Sequence, residues 1–470
     1  MAHVSHPSKA AAVNPLKMSQ PLGASYAFLG MNHCMPVMHG SQGCTSFGLV
    51  LLVRHFREAI PLQTTAMNET TTIMGGLDNI EAAVLNIRSR AKPDLIAICS
   101  TGLTETKGDD VHAYLRLIAQ KHPEVADSAL VYVSTPDYLG AFQDGWAKAV
   151  HALIDALVQP VAERRPRQVN VLPGCHLSPA DIEELREIFE SFGLVPVVLP
   201  DISGSLDGHM SDAFSPTTLG GTTLPDARGM GAAAATIAVG EQMRPSAELL
   251  LQRTGVPYVL FDRLTGLAAN DALLAWLSGH AGVPVPQKWR RQRSQLQDAM
   301  LDAHFFCGGR KVAIGAEPDL LWALSSALDE MGCEIAAAVT TTGSPMLDRV
   351  PAAEVIIGDL DDLEQRAADC DLLVTHSHGR QAAERLHLPH LRVGLPMFDR
   401  LGAAHKLMVG YRGTRELIFE VGNIFLAQVH HHEAHPQSWP LPQATRDVVD
   451  QAANAARIAV ADPASTLTVN

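Results

Sequence analysis

No Cys-x-x-Cys pair occurs among the seven cysteines, which are odd in number and widely spaced (Cys34, Cys44, Cys99, Cys175, Cys307, Cys333 and Cys370). That excludes a disulfide framework and a closed four-ligand zinc site, and points to a reducing, cytoplasmic setting. No apolar run reaches the roughly 18–20 residues that a membrane span needs. Met1–Val13 lacks the apolar core of a signal peptide. Positive charge is scarce. With 36 Lys and Arg against 50 Asp and Glu, the net charge is −14, which leaves no basic face for nucleic acid. No Gly-x-Gly-x-x-Gly follows a strand and there is no Walker lysine, so nothing speaks for nucleotide binding. No constellation of Ser, Cys or carboxylate suited to hydrolysis stands out.

What is present is material for large cores. Hydrophobic residues make up 47% of the 470 residues and charged ones only 18%, and the length corresponds to three domains. Short apolar runs that read as buried parallel strands (94–100, 129–134, 168–172, 194–199, 233–239, 258–261, 311–316, 334–340, 355–357, 372–375) alternate with helical stretches. The expected fold is therefore α/β: three Rossmann-like domains of mostly parallel sheet flanked by helices. The expected boundaries are a flexible arm over 1–13, domain I over 14–165, domain II over 166–285, a linking helix with domain III over 286–425, and a C-terminal segment over 426–470. The charged stretch Glu163–Arg167 reads as the first linker, and the Gly-, Ser- and Thr-rich stretch 201–228 as a long irregular loop.

The stretch that could carry chemistry is Met35–Phe47. An apolar run leads into His39-Gly40-Ser41-Gln42-Gly43-Cys44, read as a small turn before a helix over 49–56. Gly40 and Gly43 permit positive φ and a close approach of backbone to a bulky group. A thiolate on such a turn suits iron or an iron–sulfur cluster, because soft sulfur binds iron well. Lone cysteines are as a rule buried and inert, and the residues alone leave that open. One thiolate is in any case too few for a [4Fe–4S] cluster, which takes four ligands. Met74-Gly75-Gly76 opens an amphipathic helix (Ile80, Val84, Ile87) whose free N–H groups could face an anion. His430, His431, His432 and His435 cluster near the end; His431 and His435 are spaced to share a helix face as a metal pair.

Taken together, several motifs resemble the nitrogenase component 1 superfamily on its β-subunit side. They are Asn14-Pro15 through Gln20-Pro21-Leu22-Gly23, the Cys44 turn, Glu105 with Gly108-Asp109-Asp110, Thr135-Pro136 and Gly145-Trp146. Gly220-Gly221-Thr222-Thr223, Ser377-His378-Gly379, Pro396 and Phe398-Asp399-Arg400 continue the series to about Phe425. The resemblance implies a heterotetramer of two α-type and two β-type chains. Of the three cysteines that serve the bridging cluster in the catalytic β subunit, only Cys44 is matched. Ser19 stands at the first position, Gly102 at the third, and Cys99 is out of register. Asp137 stands where that subunit tends to carry a serine.

The resemblance thus implies a scaffold for maturation of the iron–molybdenum cofactor rather than an enzyme. Cys44, with the Gly43 N–H beside it, would complete a [4Fe–4S] cluster shared with an α-type partner of the NifE kind. That partner would hold the cofactor precursor. The nitrogenase iron protein would dock, with Met74 as a contact, and the nitrogenase apoprotein would receive the product. The alternatives are a redox β subunit of a nitrogenase-like reductase and a metal chaperone acting through the histidine cluster.

Overall fold

Aliphatic runs such as Leu95–Cys99, each residue at most 1% exposed, have no polar alternation because both their faces are covered by helices. A computed structural model describes residues 1–7, 9, 15–210 and 214–433. Three parallel sheets hold the described strands. Strand β1 (His3–Ser5) belongs to the third of them. The first sheet contains β2 (Cys34–His39), β3 (Gln63–Thr64), β4 (Leu95–Ser100) and β5 (Ala129–Val133) in the order β3-β2-β4-β5. The second contains β6 (Arg165–Pro173), β7 (Val195–Val198), β8 (Ala233–Val239) and β9 (Tyr258–Phe261) in the order β7-β6-β8-β9. β10 (Lys311–Gly315), β11 (Glu334–Thr340), β12 (Glu354–Ile357), β13 (Leu372–Thr375) and β14 (His390–Arg392) complete the third, ordered β1-β12-β11-β10-β13-β14. All these pairings are parallel. The α/β class expected from the sequence is the observed one.

Residues 1–422 form one unit that holds every sheet; a second begins at Asn423, within the helix Gly410–Glu433. No described helix is long and apolar enough to cross a membrane.

Several local expectations change. His3–Ser5, expected as part of a free arm, is an edge strand paired with β12, and Lys9 beyond it bridges Asp359 at 2.9 Å and Asp362 at 2.8 Å. Backbone pairing and a shared charge thus fix a segment whose composition looked like that of a tail. The linker Glu163–Arg167 is half strand. Arg164 donates to the carbonyls of Gly231 and Thr254, so its charge serves a specific contact rather than solvation. Met35–His39, left as an unassigned apolar run, is the central strand β2, and the following helix starts at Gln42, seven residues earlier than expected. Gly43 and Gly48 masked that helix, since glycine is a poor helix former. The helix expected from Leu441 onward lies outside the described residues.

Two helices cross where there is no room for side chains. A Cβ on Gly23, in the helix Gln20–Leu29, would lie 1.9 Å from the Phe142 carbonyl oxygen. A Cβ on Gly145, in the helix Phe142–Leu157, would lie 1.9 Å from the Gln20 oxygen. Trp146, fully buried beside this contact, donates from Nε1 to the Pro173 carbonyl at 2.9 Å, and its ring lies 4.9 Å from that of Tyr26. The crossing therefore joins the first sheet's helices to the end of β6. Because the clashing atoms are backbone, Gly145→Ala is expected to destabilise the chain by about 3 kcal/mol, the upper end of overpacking costs. Urea unfolding of the variant beside the parent checks this, and an unchanged midpoint would refute the close crossing.

Candidate functional site

In the first sheet the chain passes from β2 to β3 on one side and returns to β4 on the other. The crevice beyond the carboxyl ends of β2 and β4 is the switch point at which open α/β sheets bind ligands. Register places His39 beside Ser100 at those ends. The next residues of the two strands, Gly40 and Thr101, pack so closely that a Cβ on Gly40 would meet Thr101 Oγ1 at 2.3 Å. Thr101 and Thr104 both donate to the His39 carbonyl, at 3.0 and 3.1 Å.

Cys44 sits in this crevice, in the first turn of the helix Gln42–Phe56 rather than on a turn before it. Ser41 is the N-cap, yet its hydroxyl makes no capping bond and lies instead 3.5 Å from Cys44 Sγ. The first-turn N–H groups, including that of Gly43, thus have no capping side chain, and a helix start of this kind favours an anionic group. Neither Gly40 nor Gly43 uses positive φ. A Cβ on Gly43 would meet only Ser41 Oγ, at 3.8 Å, so the space beside it is open. Cys44 is half-buried and lines a cavity of about 280 Å³ together with Met18, Ser19, Met38, Phe47 and Asp137.

The other sulfurs lie elsewhere. Cys99 is fully buried under the helix Gln20–Leu29, against Ser25 Oγ at 3.5 Å, and burial pushes its thiol up to about 12. Cys34, Cys307, Cys333 and Cys370 are buried, and Cys175 is half-buried with its thiol pushed up by desolvation. Ser19 stands at the N-cap position of the helix Gln20–Leu29, at the cavity wall, without a capping bond from its side chain, and Gly102 opens the helix Gly102–Lys107 beside Thr101. The side chains of His430–His432, and all of His435, lie outside the described residues. Among the described residues no cluster of three His, Cys, Asp or Glu is arranged to hold a metal by itself.

A second set of groups joins the cavity to the Met74 loop. His39 is completely buried between Thr65 Oγ1, 2.9 Å from Nδ1, and Asp109 Oδ2, 3.3 Å from Nε2. Desolvation lowers its pKa, although Asp109 pulls the other way. Gly76 lies directly over this pair, since a Cβ there would be 2.5 Å from His39 Cε1 and 2.8 Å from Asp109 Oδ2. The sequence named all three residues without joining them; the Gly75-Gly76 doublet was the available signal. Ile73 and Met74, next to it, are 78% and 80% exposed. On the helix that carries Cys44, Phe47, Val50 and Val53 are 66%, 52% and 37% exposed at three-residue spacing, which forms one apolar face open to solvent.

The donor set fits a cluster held jointly with another protein: one accessible sulfur, an uncapped helix start and an adjoining apolar surface. Among the described residues no further ligand completes a cluster held by this chain alone.

The sequence pattern of nitrogenase component 1 type oxidoreductases matches residues 19–426, and the chain belongs to that family. It is 59% identical to the nitrogenase iron-molybdenum cofactor biosynthesis protein NifN of Bradyrhizobium diazoefficiens, over 91% of this chain and 92% of that one. It is 50% identical to the protein of the same name from a Nostoc species, over 91% and 96% of the two chains. The solved nitrogenase Cp1 structure at pH 6.5 superposes with a TM-score of 0.87 and 32% identity, covering 93% of this chain and 98% of that one.

Two buried histidines behind the site are neutral by geometry. His55 Nδ1 accepts from the Met397 N–H at 2.9 Å, and burial holds its pKa at about 3. His376 Nδ1 accepts from the His378 N–H at 3.3 Å while Nε2 donates to the Leu16 carbonyl at 3.1 Å, and burial lowers its pKa to about 4. The unfolded chain therefore binds protons that the fold does not, and stability should fall as pH drops from about 6.5 to about 4. His376→Gln should remove up to about 3 kcal/mol of that loss. Urea midpoints at pH values spanning this window check it, and a slope equal to the parent's would refute it.

Proposed function

We propose that this chain is the β-type subunit of a scaffold on which the nitrogenase iron–molybdenum cofactor is matured; its relatives are named nitrogenase iron-molybdenum cofactor biosynthesis proteins. It pairs with a NifE-type α chain and works as a heterotetramer of two such pairs. Cys44 completes a [4Fe–4S] cluster whose other three ligands lie on the partner, and the partner holds the cofactor precursor. The nitrogenase iron protein docks on the assembly, and the nitrogenase apoprotein accepts the product. When bound, the cluster supplies reversible electron transfer.

One observation carries this reading. The half-buried Cys44 sulfur at the switch point lies beside an apolar helix face that is exposed among the described residues. Phe47, Val50 and Val53 bury that face against the partner. Cys44 supplies its thiolate, and the N–H groups of the helix start, including that of Gly43, stabilise the anionic cluster. Because the ligand set is complete only across two chains, metal binding adds to the free energy of association. The positions Ser19 and Gly102 offer no thiol, which disfavours the redox-subunit reading. The seven cysteines are all unpaired, in keeping with a reducing cytoplasm. Ile73 and Met74 form the apolar tip that the iron protein contacts, above the Gly76–His39–Asp109 contact.

In the two-chain complex, Cys44→Ala should lose most of the iron and the reduced-state EPR signal of the shared cluster, whereas Cys175→Ala and Cys333→Ala should keep both. Full iron content in C44A, or a stoichiometric cluster on this chain purified alone, would overturn the assignment. Met74→Asp should weaken iron-protein binding to the complex about tenfold, the effect of losing roughly 1.4 kcal/mol of contact. Titration of the complex with iron protein by light scattering measures this, and an unchanged affinity would move docking elsewhere.

A further inference from the structure

Two of the buried cysteines lie against each other in the third sheet. Cys307 is the last residue of the helix Gln287–Cys307, and Cys333 directly precedes β11. The two chain segments run side by side there. The Gly309 N–H donates to the Gly332 carbonyl at 2.8 Å, and the Glu334 N–H donates to the Arg310 carbonyl at 2.8 Å. A Cβ on Gly332 would lie 3.5 Å from Gly308 Cα. Cys333 Sγ donates to the Cys307 carbonyl at 3.4 Å, and the two thiols are hydrogen-bonded to each other. Adjacent backbones with thiols in contact meet the short spacing that a disulfide requires.

The two sulfurs are not equivalent. The hydrogen bond with Cys333 holds the Cys307 thiol below its ordinary value, with the Arg310 guanidinium adding to the effect. The same contact, together with burial, pushes the Cys333 thiol up. A thiolate is the attacking form in disulfide exchange, so Cys307 is the nucleophile of the pair and Cys333 the resolving thiol. Both residues are buried, at 1% and 4% exposed, but their cover is thin. Gly308, Gly309 and Gly332 around them are exposed, and none brings a side chain to shield the sulfurs. Local opening of this glycine turn is enough to admit a small oxidant.

We propose that Cys307 and Cys333 are an oxidation site, at which a small-molecule disulfide converts the pair to an internal disulfide that ties the end of the helix Gln287–Cys307 to the start of β11. The Cys307 thiolate attacks one sulfur of the small disulfide, forming a mixed disulfide and releasing one small thiol. Cys333 then gives up its proton and attacks Cys307 Sγ, which releases the second small thiol. The pair loses two electrons and two protons, and the small disulfide gains them. The bond joins residues 26 apart in the chain, so it restricts the unfolded chain and locks the third sheet against unfolding under oxidising conditions. Cys44 takes no part in it.

The full chain, reduced and then held without oxygen, is treated with oxidised glutathione, alkylated, digested and mapped by mass spectrometry. The parent should yield a peptide with Cys307 linked to Cys333 and lose both as alkylatable thiols. Cys333→Ser should stop with glutathione on Cys307, and Cys307→Ser should leave Cys333 free. The thermal midpoint of the linked parent should rise by several degrees and return to its starting value on reduction with dithiothreitol. The parent map decides the pairing even where a serine variant folds poorly. If both thiols stay alkylatable in the parent, the pair is not an oxidation site. Glutathione on Cys333 of C307S with none on Cys307 of C333S would overturn the assigned roles. An unchanged or lower midpoint in the linked parent would overturn the lock.

Discussion

Gly23 and Gly145 let two helices meet backbone to backbone, and the geometry of the site depends on that contact. The helix Gln20–Leu29 carries Ser19 at its start, on the cavity wall. The helix Phe142–Leu157 follows the Asp137–Gly140 segment, which Gln20 fastens from the other side. Beneath the crossing, Trp146 extends to Pro173 at the end of β6. Backbone contacts of this kind do not adjust by rotamer changes. The two cavity walls are therefore set by the same interaction that joins the first sheet's helices to the second sheet.

On that frame the first sheet changes direction between β2 and β4, and the crevice it opens receives the ends of both strands. Cys44 follows one strand and Gly102 the other. In the function proposed above, the Cys44 sulfur, the uncapped helix start and the exposed apolar face are half of a site that a partner surface completes, and assembly of the complex and loading of iron are then a single linked equilibrium. The partnered, buried His39–Asp109 pair lies between this half-site and the exposed Met74 tip, with Gly76 packed on it. The Met74 loop and the end of β2 are therefore in direct contact through closely packed groups.

Much of this was legible in the chain itself. Aliphatic runs without polar alternation defined most of the buried parallel strands, because a strand covered on both faces has no polar side to show. The isolation of Cys44 from any second cysteine was visible, and so was its flanking by small residues. The helix start at Gln42 was hidden, because glycines at 43 and 48 lower local propensity while packing against Met38 and Leu22 gives the helix its place. His3–Ser5 had no signal at all, since a three-residue edge strand is stabilised by the strand it joins. Arg164 read as a solvated linker charge because its carbonyl partners lie 67 and 90 residues away.

The sequence alone determined the fold class, which follows from residue identity and periodicity, and singled out the Cys44 sulfur as a candidate donor. Which residues face that sulfur was decided only by the tertiary structure. Cys99, in β4, is turned into the core, because the helix Gln20–Leu29 covers that face of the strand and sets Ser25 against its sulfur. Asp137, 35 residues beyond Gly102, lies against it, because β4 and β5 end side by side. Distances across a sheet depend on strand order and register, and neither is written in any local stretch of the chain.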